Sequence, residues 1–161
     1  FVHVEVLDDR SADTITQAFA RFLDGFGYRV HTVLTDNGAE FTDRFGAARY
    51  TRRPTGTGRH PFDRLCQQHG IRHKLTRPYH PQTNGMVERF NGRIEDILQS
   101  HRFHSGEDLE QTILRYVHLY NSQLPQAALK GRTPISALKD WQRQRPELFR
   151  KRVYNHAGCD N

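Results

Sequence analysis

Val2, Val4 and Val6 alternate with His3 and Glu5 over residues 1–7, the period-two pattern of a strand with one buried face. Asp8-Asp9-Arg10-Ser11 breaks that pattern and reads as a strand-to-helix turn. Ile15, Ala18, Phe19, Phe22, Leu23 and Phe26 then form one apolar stripe at helical spacing. Thr14 and Gln17 stand at capping-box spacing, and Gly25 and Gly27 mark the helix end. A second, buried strand is predicted over 28–35, running into Asp36-Asn37-Gly38. Residues 46–61 are rich in Gly, Arg, Thr and Pro and read as an inserted loop. A short helix over 62–69 stopped by Gly70, and a strand over 71–76, follow.

Pro78, Pro81 and Gly85 hold the next segment out of regular structure. A long helix over 85–103 carries Val87, Phe90, Ile94, Ile97 and Leu98 on its apolar face. Another over 107–123 uses Leu109, Ile113, Val117 and Tyr120. Thr133 and Pro134 suit the cap and first position of a last helix running to 141. The element order is that of an α/β domain over 1–123 followed by a helical C-terminal extension and basic tail over 124–161.

Charge adds a partner to this picture. The chain of 161 residues carries a net charge of +6, with a pI of about 9.7. The segment 44–77 alone holds +8 and 130–152 holds +6, so the remainder is acidic. Two basic blocks on an otherwise acidic chain point to a polyanion such as nucleic acid. Apolar runs do not exceed four residues, so neither a transmembrane helix nor a signal segment is expected. Two cysteines, Cys66 and Cys159, cannot build a disulfide framework and fit a reducing cytoplasm.

Two carboxylates are placed for chemistry. Asp36 follows a predicted strand end, where ligands meet an open α/β sheet. Glu88 lies in the first turn of the long helix, between Val87 and Phe90, near the buried border. Such a pair can meet on a hard cation, which takes oxygen ligands. Position alone equally makes Asp36 a turn residue and Glu88 a favourable helix N-terminal charge. The run 77–91 tips the balance, because its Pro-rich loop delivers Gln82, Asn84 and a helix N-terminus, with Arg77 and Arg89 beside them. Donors gathered around a carboxylate suit phosphodiester chemistry.

Thr35-Asp36-Asn37-Gly38-Ala39-Glu40-Phe41, followed by Pro81-Gln82-Thr83-Asn84-Gly85-Met86-Val87-Glu88-Arg89-Phe90-Asn91, resembles the integrase catalytic core of insertion-sequence transposases. These belong to the DDE group, relatives of retroviral integrases with a ribonuclease H-like fold, a mixed sheet flanked by helices. The stretch from Tyr120 to Leu129, with Thr133-Pro134, resembles the family's C-terminal helices, so the likeness spans the chain. The resemblance implies DNA cleavage and strand transfer through two divalent ions, Mg²⁺ or Mn²⁺, held by three carboxylates. Asp36 matches the second carboxylate and Glu88 the third. Asn37, Arg77, Gln82, Asn84, Arg89 and Asn91 fall on positions near DNA or the active site. The Arg-rich insert, with Arg52 and Arg53, accounts for a longer Asp36-to-Glu88 spacing than retroviral integrases have and is expected to be a further DNA contact. Partners implied are element ends and target DNA and further copies of the chain, in a bacterial, nucleoid-associated cytoplasm without membrane.

The family's first carboxylate lies on an earlier strand than any here, and Asp8 and Asp9 read as turn residues instead. The chain opens on Phe1, so a fragment lacking the first strand or strands is expected, inactive alone. The rival reading is a DNA-binding remnant without catalysis. Cys66, His69, His73 and His80 are loosely spaced, and a Cys2His2 zinc site would need another Cys. Trp141, Phe149 and Tyr154 are expected to pack on the core, with base stacking as the other use.

Overall fold

Thr32, Val33, Leu34 and Thr35 form β1 (Thr32–Thr35), and it pairs in parallel with β2 (Arg72–Leu75), Val33 opposite His73 and Thr35 opposite Leu75. The connection between them carries α2 (Pro61–Gln68), the crossover that a parallel pair requires. The computed structural model describes residues 1–44, 57–76, 85–151 and 153. Preceding the sheet is α1 (Ala12–Gly25); following it are α3 (Gly85–Ser100), α4 (Gly106–Ser122) and α5 (Pro134–Gln144). The chain divides into two compact units.

The first of these holds α1, β1, α2 and β2, within Leu7–Phe26 and Val30–Arg89. Phe62, Cys66 and Ile71 are buried at its centre, with Ile15, Phe19 and Leu23 of α1 and Val30, Val33 and Phe41 packed around them. Phe62 anchors the cluster. Its ring stacks on Phe19 at 4.9 Å and meets Phe41 edge-on at 5.3 Å, offset and perpendicular arrangements favoured by the ring quadrupoles. α1 is capped by Ser11, whose Oγ accepts from Thr14 N, so the cap falls three residues before the predicted Thr14. Asp9 Oδ1 in turn accepts from Ser11 N at 2.7 Å. Only one face of β1 reaches the core. Val33 and Thr35 turn inward, while Thr32 and Leu34 are exposed, Leu34 by 43%; the expected buried strand is buried on one side.

The other unit comprises Phe1–Val6, Gly27–Arg29 and the chain from Phe90. Phe90, Ile113 and Val117 are buried, with Val2, Val4, Ile94, Leu109, Tyr116 and Tyr120 against them. Residues 1–7 keep the predicted inward facing of Val2 and Val4 yet form no strand. The backbone of Val2 bonds instead to the side chain of Asn121, from α4. The apolar face of α3 is narrower than its sequence suggested: Val87 is 52% and Leu98 42% exposed. α5 packs on α4, with Thr133 capping it and Pro134 and Ile135 buried. Trp141, expected to pack, is 58% exposed, because α5 buries its N-terminal turn and not this position. Phe149 does pack, edge-on to Tyr28 at 4.7 Å, where 28 and 149 form an antiparallel bridge.

Candidate active site at the end of strand β1

Thr35 is the last residue of β1, and its neighbour Asp36 is exposed at the strand's C-terminal end. Asp36 Oδ1 accepts from Gly38 N at 2.9 Å, an Asx turn that aims the carboxylate using the backbone two residues on. Gly38 O then accepts from the N–H groups of Phe41 and Thr42 at 3.0 and 3.1 Å. Asn37 Nδ2 donates to Thr76 O at 3.2 Å, tying the turn to the residue after β2. Its Oδ1 is buried with no hydrogen-bond partner among the described residues. His60 caps α2 by accepting from Phe62 N through Nδ1, so its Nε2 carries the proton donated to Ala39 O at 3.0 Å. The Asp36 turn is therefore fastened to α2 and to the end of β2.

Glu88 and Arg89 lie in the first turn of α3 and Asn91 one step further, all three exposed. Glu88 is thus exposed and not at a buried border, whereas Phe90, two residues on, is buried. Arg52, Arg53, Arg77, Gln82 and Asn84, with most of the Arg-rich insert and the Pro-rich loop, lie outside the described residues. Among the described residues no three His, Cys, Asp or Glu side chains gather as a metal site. Asp36 and Glu88 are hard oxygen donors, the type Mg²⁺ and Mn²⁺ take one or two at a time alongside water and phosphate. In donor chemistry the pair fits such an ion.

Asp9 is committed elsewhere. The N–H of Ser11 stabilises its charged form and holds its carboxyl below the usual aspartate value. Asp43 is likewise lowered, first by the Thr57 hydroxyl. Of the four residues weighed for zinc, His73 is bonded to Thr35 and Asp63, Cys66 is enclosed with its thiol pushed up to about 11 by burial and by Asp63, and His69 ends α2. His80 lies outside the described residues. Sequence reading passed over Asp63, which accepts from Arg44 Nη2 at 2.8 Å and from His73 Nδ1 at 2.6 Å. Its signal was there: it is the lone acid in the +8 segment.

No helix among the described residues is long and apolar enough to cross a membrane. Integrase core domain families match the chain over residues 1–81 and over 69–134. The fold resembles the catalytic core domain of BIV integrase, with a TM-score of 0.58 at 20% identity, covering 89% of this chain and 81% of that one. An uncharacterised transposase-like protein of Haemophilus influenzae is 32% identical over 76 residues, 47% of this chain and 35% of that protein. A retrovirus-related Pol polyprotein from transposon TNT 1-94 of Nicotiana tabacum is 30% identical over 95 residues, 56% of this chain and 6% of that one. The chain thus spans about a third or less of these relatives. With its ribonuclease H-like arrangement and with matches running through residue 134, the chain belongs to the integrase core domain family.

Proposed function

We propose that this chain is the catalytic core of a DNA transposase of the DDE group, acting by metal-dependent phosphodiester hydrolysis and strand transfer. One observation carries the reading: Asp36 stands exposed at the C-terminal end of a parallel strand, aimed by its own Asx turn, in a chain of the integrase core family. Asp36 and Glu88 would hold the divalent ions, two in the complete enzyme. Bound there, an ion supplies Lewis-acid polarisation of phosphate oxygens and offsets charge developing on them.

The remaining work falls to the protein's donors. Arg89 and Asn91, exposed on α3, bind phosphate oxygens and orient the strand, as do Arg77, Gln82 and Asn84, while Asn37 holds the Asp36 turn to Thr76 O. Arg52 and Arg53 add sequence-independent affinity. DNA ends and target DNA are the substrates, with further copies of the chain assembling on them in the bacterial cytoplasm.

The test uses the full-length protein on labelled duplex DNA with Mg²⁺. Asp36→Asn and Glu88→Gln are each expected to abolish cleavage and joining while DNA affinity stays within about twofold, because few phosphate contacts are lost. Cutting by both variants would sink the carboxylate assignment. DNA binding without cleavage by the parent protein would favour the non-catalytic remnant.

A further inference from the structure

Beneath the Asp36 turn runs a polar chain that the proposed chemistry leaves unused. The β1–β2 register sets Thr35 and His73 on the inward face of the sheet. His73 Nε2 lies 2.8 Å from Thr35 Oγ1, and His73 Nδ1 lies 2.6 Å from Asp63 Oδ1. Thr35 Oγ1 is also 3.0 Å from the main-chain oxygen of Asp36, a second acceptor within reach of its proton. The His73 side chain is only 3% exposed and that of Asp63 12%. Among the described residues Asp63 of α2 is the charged group bonded to the ring, and Arg44 Nη2 bonds the same Oδ1 at 2.8 Å. The Phe62 ring packs against His73 at 5.0 Å.

Proton counting shows what this chain can do. The Asp63 carboxylate accepts, so His73 Nδ1 carries a hydrogen. Nε2 then either accepts the Thr35 hydroxyl proton or donates to that oxygen. Both arrangements lock the rotor of Thr35, and the second leaves its single proton for Asp36 O. Asp36 is exposed, so packing does not set the direction of its carboxylate. The Gly38 N–H on Oδ1 directs it, and the Asp36 main chain from which it hangs is met by the Thr35 hydroxyl.

We propose that His73 is a positioning residue for Asp36: aligned by Asp63, it fixes the Thr35 hydroxyl against the Asp36 main chain and so sets where the carboxylate points. This rests on Asp36 being a cation ligand.

The experiment uses the 161-residue chain with Mn²⁺ alone as probe, following paramagnetic broadening of the amides around Asp36, the exchange rate of the Gly38 amide and the melting temperature. Thr35→Val removes the hydroxyl at nearly constant shape, and Thr35→Ser restores it. At position 73, Gln reaches the site of Nε2 and keeps Thr35, whereas Asn stops at the site of Nδ1 and keeps only Asp63. Thr35→Val and His73→Asn are each expected to weaken Mn²⁺ binding about fivefold, the scale of one hydrogen bond, and to speed Gly38 exchange. Thr35→Ser and His73→Gln stay within about twofold of the parent, and the Thr35→Val/His73→Asn double variant is no worse than either alone, as residues acting in one chain must be. Parent-like Mn²⁺ binding and Gly38 exchange in Thr35→Val would overturn the proposal, since that variant alone breaks the chain without touching the buried ring. Asp36→Asn separates the two readings. If it binds Mn²⁺ like the parent, the cation assignment falls, and with it the positioning role; if it loses binding while Thr35→Val does not, only the role of His73 falls.

Discussion

Asn121 of α4 brackets the backbone of Val2 with both ends of its amide, Oδ1 accepting from Val2 N at 2.8 Å and Nδ2 donating to Val2 O at 2.7 Å. One side chain thereby does for residue 2 what a neighbouring strand would do, and at 5% exposure it does so in the interior. Asn121→Ala strands both groups of Val2 and is expected to cost about 2 kcal/mol, the penalty for buried polar groups left unpaired. Urea unfolding of variant and parent checks this; a difference below about 0.5 kcal/mol, typical of surface changes, would mean the bracket is replaced by water.

The same pair shows what the sequence could and could not tell. Alternation correctly turned Val2 and Val4 inward, because facing is a local property of extended chain. It could not supply a partner 119 residues away. Helices were legible throughout, since their stripes and caps lie within a few residues of one another. Where the reading slipped, as with the cap at Ser11 or the exposure of Val87 and Trp141, the choice depended on which half of a stripe a neighbour covers. Asp36 could be read from its place at a strand end. The Thr35–His73–Asp63 chain could not, because only the parallel register brings 35 and 73 to one face.

Phe62 is 2% exposed and touches rings from α1 and from the Asp36 turn. Phe62→Ala is expected to cost about 3–5 kcal/mol, by lost transfer energy plus the cavity left behind. Phe62→Leu, which keeps most of the volume, is expected to lose less than half of that. Equal losses in the two variants would show that ring geometry, and not filled space, holds this cluster.

Cys66 offers a direct probe of that core. It is 1% exposed, and burial together with Asp63 lifts its thiol to about 11. The reactive thiolate is therefore scarce near neutral pH as well as enclosed. In a Cys159→Ser background, Cys66 is expected to resist alkylation at pH 8 until urea unfolds the chain, and the labelling rate should follow the unfolding curve. Rapid labelling of the native protein would mean that this unit opens far more readily than its packing implies.

Asp9 and Asp43 give the stability a defined acid limb. Hydrogen bonds from Ser11 and from Thr57 lower both carboxyls in the folded chain. The folded state binds the proton less readily than the unfolded one, so the contribution is fully present above the ordinary aspartate range, about 3.9. It is lost as pH falls through the lowered values. Asp43→Asn is expected to differ from the parent at pH 7 and to converge on it by about pH 2, once the parent's own carboxyl is protonated. Urea midpoints across that range report the convergence, and a constant gap would assign the effect to lost packing.

Arg52, Arg53 and Arg59 lie between Asp36 and Glu88 in the longest basic stretch of the chain, where 44–77 carries +8. If they neutralise phosphates, each bound contact releases condensed counterions, and affinity falls linearly in log–log against salt with a slope of about 0.9 per phosphate on duplex DNA. Replacing all three with Gln should therefore shallow the slope by up to about 2.7 and weaken binding most at low salt. Asp36→Asn, measured in the same titration, should leave the slope within about one contact of the parent. Taken together the two results separate affinity from chemistry: the arginines would carry the first and the carboxylates the second. An unchanged slope in the triple variant would remove the insert from the DNA surface and leave the binding charge to Arg77, Arg89 and the 130–152 block.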